Sequence, residues 1–132
     1  MSETPPRILI VDNDEGMVAA IVTRLEHEGY ECVTASSGSQ GYIAVTEQHI
    51  DLIVSDLNMP MGDGATFAKR VRNESLVPII FVTGFEREFC NELDGIENVS
   101  VIAKPFHPNQ LLDTIEIDLT LGSTGMESAY SD

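Results

Sequence analysis

At four places in the chain a short apolar run gives way to a polar residue able to do chemistry. Ile8-Leu9-Ile10-Val11 leads into Asp12-Asn13-Asp14, Leu52-Ile53-Val54 leads to Asp56, Ile79-Ile80-Phe81-Val82 ends at Thr83, and Val99 to Ala103 ends at Lys104. Carboxylates held close together repel one another unless a cation lies among them, so such a set is suited to holding a metal, with an ammonium and a hydroxyl at hand. Any one aspartate after a strand is more often a helix cap or a turn residue. Four such ends in one chain are harder to explain that way.

The apolar runs are the elements that must position these residues. Ile8 to Val11 is continuously apolar, as in a strand buried on both faces. Asp14 is placed to cap a following helix in which Val18, Ile21, Val22 and Leu25 recur at helical spacing, and Gly29 stops it. The alternation repeats. Tyr30 to Ala35 is expected as a strand, Ser39 to Gln48 as a helix with Ile43 and Ala44 inward, and Leu52-Ile53-Val54 as a strand. A turn with Pro60, Gly62 and Gly64 precedes a helix around Phe67 and Val71, and Pro78 to Val82 is the most apolar strand. Glu86 to Leu93 is expected as a short helix, Val99 to Ala103 as a fifth strand, and Pro108 as the start of a last helix with Leu111, Leu112, Ile115 and Leu119 on one side.

Alternating strands and helices of this length argue for one α/β domain, a doubly wound parallel sheet covered on both faces, over residues 7–121. Residues 1–6 form an N-terminal extension, and 122–132 are expected as a disordered tail or the start of a linker. Ligands in open parallel sheets bind beyond the carboxyl ends of the strands, which is where the polar residues fall.

Composition narrows the function. The 132 residues include 22 acidic and 7 basic side chains, a formal net charge of -15, which disfavours direct nucleic-acid binding. No apolar run is long enough to span a bilayer, and Met1 to Arg7 has no apolar signal core. Cys32 and Cys90 lack metal-ligand spacing and suit buried thiols in a reducing, cytoplasmic setting. His27, His49 and His107 share no spacing suited to a metal, and no glycine-rich nucleotide loop is present.

VDND after the first strand, DLIVSDLNMPMGDG around the third, VTG after the fourth and AKPF after the fifth resemble the receiver domain of two-component response regulators over nearly the whole chain. The resemblance implies a flavodoxin-like five-stranded parallel sheet of order 2-1-3-4-5. It further implies that Asp56 is the phosphoacceptor, attacking the phosphohistidine of a sensor histidine kinase or histidine phosphotransfer protein, with Thr83 and Lys104 meeting the phosphoryl oxygens. Mg²⁺ would be held by Asp12, Asn13, Asp56 and the backbone carbonyl of Asn58. Pro105 would fix the backbone that aims Lys104, through a cis bond. Such a domain assists its own phosphorylation and is not a classical enzyme. With no effector domain visible, output would pass by contact to a downstream protein or a fused output domain, with no role for nucleic acid or membrane.

Three positions depart from the family pattern. Asn13 stands where a second acidic residue is usual, an amide being a weaker Mg²⁺ ligand unless Asp14 turns inward to replace it. Val101 replaces the usual aromatic three residues before the lysine, so the signal is expected to travel through the loop after Thr83 and the Glu86 to Leu93 helix. Phe85 is placed to cover the phosphoryl group. Two other readings compete: a degenerate receiver that only binds proteins, and a haloacid dehalogenase-type phosphatase using Asp12 and Asp14, whose further motifs the chain does not supply.

Overall fold

The computed structural model describes residues 4–57, 64–84, 93 and 95–124, with side chains described as far as 121. The elements follow one another as β1 (Arg7–Val11), α1 (Glu15–His27), β2 (Glu31–Ala35), α2 (Gly38–Glu47), β3 (Leu52–Asp56), α3 (Gly64–Arg72), β4 (Ile79–Thr83), β5 (Val99–Ala103) and α4 (Pro108–Thr124). All five strands run parallel in the order β2-β1-β3-β4-β5. The doubly wound sheet and its strand order are as the sequence led one to expect.

Alternation along the strands divides the core in two. Leu9, Val11, Ile53, Ile79 and Phe81 face one side, where Ala44, Phe67, Ala68 and Val71 of α2 and α3 cover them. Ile8, Ile10, Leu52, Val54, Ile80 and Val82 face the other, beneath Ile21 and Leu25 of α1 and Leu111 and Ile115 of α4. Every residue of β3 and β4 is buried, so the sheet's centre has no face open to solvent. Burying such side chains is worth about 1.5 to 3 kcal/mol each, and that drives the layers together.

Local signals set the boundaries. The Asp14 carboxylate accepts from the Gly16 and Met17 N–H groups and starts α1, while Gly29, at a φ of 97°, takes the chain out of it. Ser37 caps α2 by accepting from Gln40 N at 3.2 Å. Ile43 does not point inward: it is 51% exposed. Gly41 and Ala44 hold the buried stripe instead, because α2 lies so close to β1 and α3 that even a Cβ at 41 would meet Val11 and Phe67 at 3.0 Å. At the other end of the chain α4 continues to Thr124, past the expected limit at 121, since a last helical turn still pairs the carbonyls of the turn before it. The helix expected over 86–93 lies outside the described residues apart from Leu93, which is buried against the α2–α3 face. Pro60, Gly62 and Cys90 also lie outside them.

The edge of the sheet opposite the strands' carboxyl ends is held by one guanidinium. Arg72 donates from Nε to Glu97 O at 2.7 Å, from Nη1 to Ser75 O at 2.9 Å and from Nη2 to Asn98 O at 3.0 Å. Asn98, at a positive φ of 61°, returns a bond from Nδ2 to Leu76 O at 2.7 Å. Beyond it, Ser100 Oγ donates to Asp118 Oδ2 at 3.3 Å, tying β5 to α4 through a carboxyl whose pKa burial pushes up. Replacing Arg72 with Met removes three charge-assisted bonds from two loops, and we expect about 2 kcal/mol less stability in urea titration.

Candidate functional site

Strand register brings the polar strand ends to one place. Val11 pairs with Ser55, Asp56 with Val82, and Thr83 with Ala103, so Asp12, Asp56, Thr83 and Lys104 end neighbouring strands within about one residue of each other. The ladders extend past the strands: Asp12 N donates to Ala35 O at 3.1 Å, Leu57 N to Val82 O at 3.2 Å, and Lys104 N to Thr83 O at 2.8 Å. The Lys104–Pro105 peptide bond is cis.

Three of these four side chains are buried. Thr83 is fully buried, Asp12 is 4% exposed and Asp56 8%. The Lys104 ammonium lies 3.9 Å from Asp56 Oδ1, close enough to offset charge and too far for a direct hydrogen bond. Asp12 Oδ1 accepts from Asp14 N at 2.9 Å, whereas Asp12 Oδ2 is buried with no hydrogen-bond partner among the described residues. A buried carboxylate oxygen left without a donor is costly, and a cation is one way to satisfy it.

Asn13 and Asp14 are exposed. Asp14 Oδ1 accepts from Gly16 N at 3.0 Å and Met17 N at 3.2 Å, so its side chain is committed to α1. Asn58 and Phe85 lie outside the described residues. Val101, beside Phe81 in the sheet, packs partly buried against the α2–α3 face. The histidines stay apart: His49 Nε2 lies 2.7 Å from Asp51 Oδ1, and His107 Nδ1 accepts from Asn109 N at the start of α4. Among the described residues, no three His, Cys, Asp or Glu side chains converge as a metal site. The pKa of the Cys32 thiol is pushed up to about 11, first by burial and then by Glu26 and Glu31, which favours the protonated form.

Two features escaped the sequence. Gly64, first residue of α3, looks like an ordinary turn glycine, yet its backbone is pressed against the end of β3. A Cβ there would meet Asp56 O, Leu57 Cα and Phe81 Cε1, each at 2.9 Å, and Gly64 N donates to Leu57 O at 3.0 Å. The second is a groove of about 1120 Å³, lined by Met17, Ala20 and Ile21 of α1 with Phe106, Leu111 and Leu112, and bounded by Lys104. Its walls are far apart in sequence, so no local motif announces it.

An open parallel sheet with buried carboxylates, a hydroxyl and an ammonium at its carboxyl edge defines a flavodoxin-like domain equipped to receive an anionic group. The model of the response regulator receiver domain family matches residues 8–116, and the chain belongs to that family. It is a phosphoacceptor domain of the two-component type. The chain is 35% identical over 113 residues to the probable transcriptional regulator ycf27 of Porphyra purpurea, covering 84% of this chain and 46% of that protein. It is 32% identical over 112 residues to the response regulator receiver protein CpdR of Brucella abortus, covering 83% and 93%. The crystal structure of the chemotaxis protein CheY4 of Vibrio cholerae superposes with a TM-score of 0.80 at 30% identity, over 86% of this chain and 98% of that one. The chain thus spans about half the length of several curated relatives, 46% for ycf27. No helix among the described residues is long and apolar enough to cross a membrane.

Replacing Gly64 with Ala should push α3 away from the acceptor strand. We expect a loss of about 2 kcal/mol in chemical denaturation, with amide shifts concentrated at Asp56, Leu57 and Phe81.

Proposed function

We propose that Asp56 is the phosphoacceptor and that a phosphohistidine on a sensor histidine kinase or histidine phosphotransfer protein is its donor. An Asp56 carboxylate oxygen attacks phosphorus, the P–N bond breaks, its electron pair stays on the imidazole nitrogen, and an acyl phosphate results. The observation that carries this reading is the pairing of Asp56 with an ammonium 3.9 Å from Oδ1, a separation that leaves the Lys104 protons to meet phosphoryl oxygens. Thr83, buried at the adjacent strand end, donates its hydroxyl to the same group.

The unpartnered Asp12 oxygen and the all-oxygen donor set suit Mg²⁺, and Asp12, Asp56, Asn13 and the Asn58 carbonyl are the groups that would hold it. When bound, Mg²⁺ neutralises charge on the phosphoryl oxygens. The donor approaches along the groove that ends at Lys104, whose apolar walls on α1 and α4 suit a partner helix.

With Val101 in place of an aromatic, the modified state is signalled through Thr83 and the segment after it, to a downstream protein or a fused output domain. The domain, from β1 to the end of α4, acts in the cytoplasm without touching nucleic acid, in keeping with the chain's net charge of -15, and modifies itself instead of turning over a substrate. A phosphatase using Asp14 as its acid is disfavoured, because that carboxylate caps α1.

Intact mass after incubation with Mg²⁺ and acetyl phosphate or phosphoramidate tests the reading. One phosphoryl adduct is expected on the wild type and none on Asp56→Asn. An adduct on both would move the acceptor elsewhere. No adduct on either, with no spectral response to beryllofluoride, would leave a protein-binding module that no longer takes the group.

A further inference from the structure

Asp12, Asn13 and Asp14 offer two carboxylates, and the fold gives them different work. Asp12 is nearly sealed from solvent, and its Oδ2 has no hydrogen-bond partner among the described residues. Asp14 sits at the surface with extended backbone (φ -91°, ψ 102°), its Oδ1 accepting from Gly16 N and Met17 N. Turning it inward would strip two N–H groups of α1 of their acceptor, and the bond from Asp14 N to Asp12 Oδ1 at 2.9 Å fixes the backbone that aims it outward. Between them stands Asn13, which is neutral. Among the described residues the pocket therefore sets two carboxylates, Asp12 and Asp56, beside the ammonium of Lys104.

We propose that Asn13 sets the metal affinity of this chain: Asp14 is a helix cap and not a ligand, so a divalent cation is held by two carboxylates only and binds weakly until a third is supplied. This rests on reading the cleft as a phosphoacceptor site. Affinity for a hard cation follows the number and charge of its oxygen ligands, and an amide oxygen carries no net charge. Position 13 is exposed, so a carboxylate there is introduced without burying a charge.

Titration of the full chain with Mg²⁺ in the absence of a phosphodonor, followed by the amide shifts of residues 11–14, tests the proposal on the wild type, Asn13→Asp and Asp14→Ser. Serine keeps the cap and removes the charge. Asn13→Asp is expected to bind Mg²⁺ at least about tenfold more tightly than the wild type. Asp14→Ser is expected to stay within about twofold, with an unchanged thermal midpoint. Loss of about tenfold in Asp14→Ser would show that Asp14 turns inward as a ligand and would overturn the proposal, as would an unchanged affinity in Asn13→Asp. Metal binding is read here without phosphorylation. A wild type that gains no adduct while Asn13→Asp tightens Mg²⁺ would therefore refute the acceptor reading and leave this one standing.

Discussion

Two carboxylates placed beside each other and almost closed to water are the constraint on which the rest of this structure turns. Asp12 and Asp56 are each more than nine-tenths buried. Removing a charge from water costs several kcal/mol, and a like charge nearby adds to the cost. Lys104 offsets part of it from 3.9 Å, and one oxygen of Asp12 receives no hydrogen bond among the described residues. A core evolved for stability alone would not keep such a group, which supports the proposal that Asp12 holds a cation.

The remainder of the fold makes that arrangement tolerable. Ten apolar residues or more on each side of the sheet are buried in two clusters, and this burial supplies stability that the cleft spends. The parallel ladder fixes the cleft's geometry, because a slip by one residue would turn Asp56 to the other face. Gly64 lets α3 start against the end of β3, and the Asp14 cap starts α1 directly behind Asp12. At the opposite edge Arg72 secures the loops that enter β4 and β5, well away from the reacting groups.

Much of this could be read in the residues themselves. The buried strands were legible because parallel strands covered on both faces are continuously apolar, and Asp12, Asp56, Thr83 and Lys104 were legible because each stands where such a run ends. The Asp14 cap and the Gly29 stop were legible for the same local reason. Ile43 was misplaced because its helix is inward only where glycine and alanine allow a close approach, which depends on Phe67 and Val11, remote in sequence. The end of α4 was set too early because apolar periodicity stops before the backbone hydrogen bonds do. Gly64 and the groove beside Lys104 were hidden because both are made by neighbours in space. Whether Asp14 could stand in for the missing acid at position 13 needed the orientation of one side chain.

Stability of Asp12→Asn, with and without Mg²⁺, tests the central claim most directly. The substitution keeps the Oδ1 acceptor for Asp14 N and removes the charge. If the buried carboxylate is retained for the site, the variant melts at a higher temperature than the wild type without metal, and Mg²⁺, which raises the wild-type midpoint, does nothing for it. A variant that melts lower than the wild type without metal and is still stabilised by Mg²⁺ would show that Asp12 serves the fold and that the cation, if held at all, is held elsewhere.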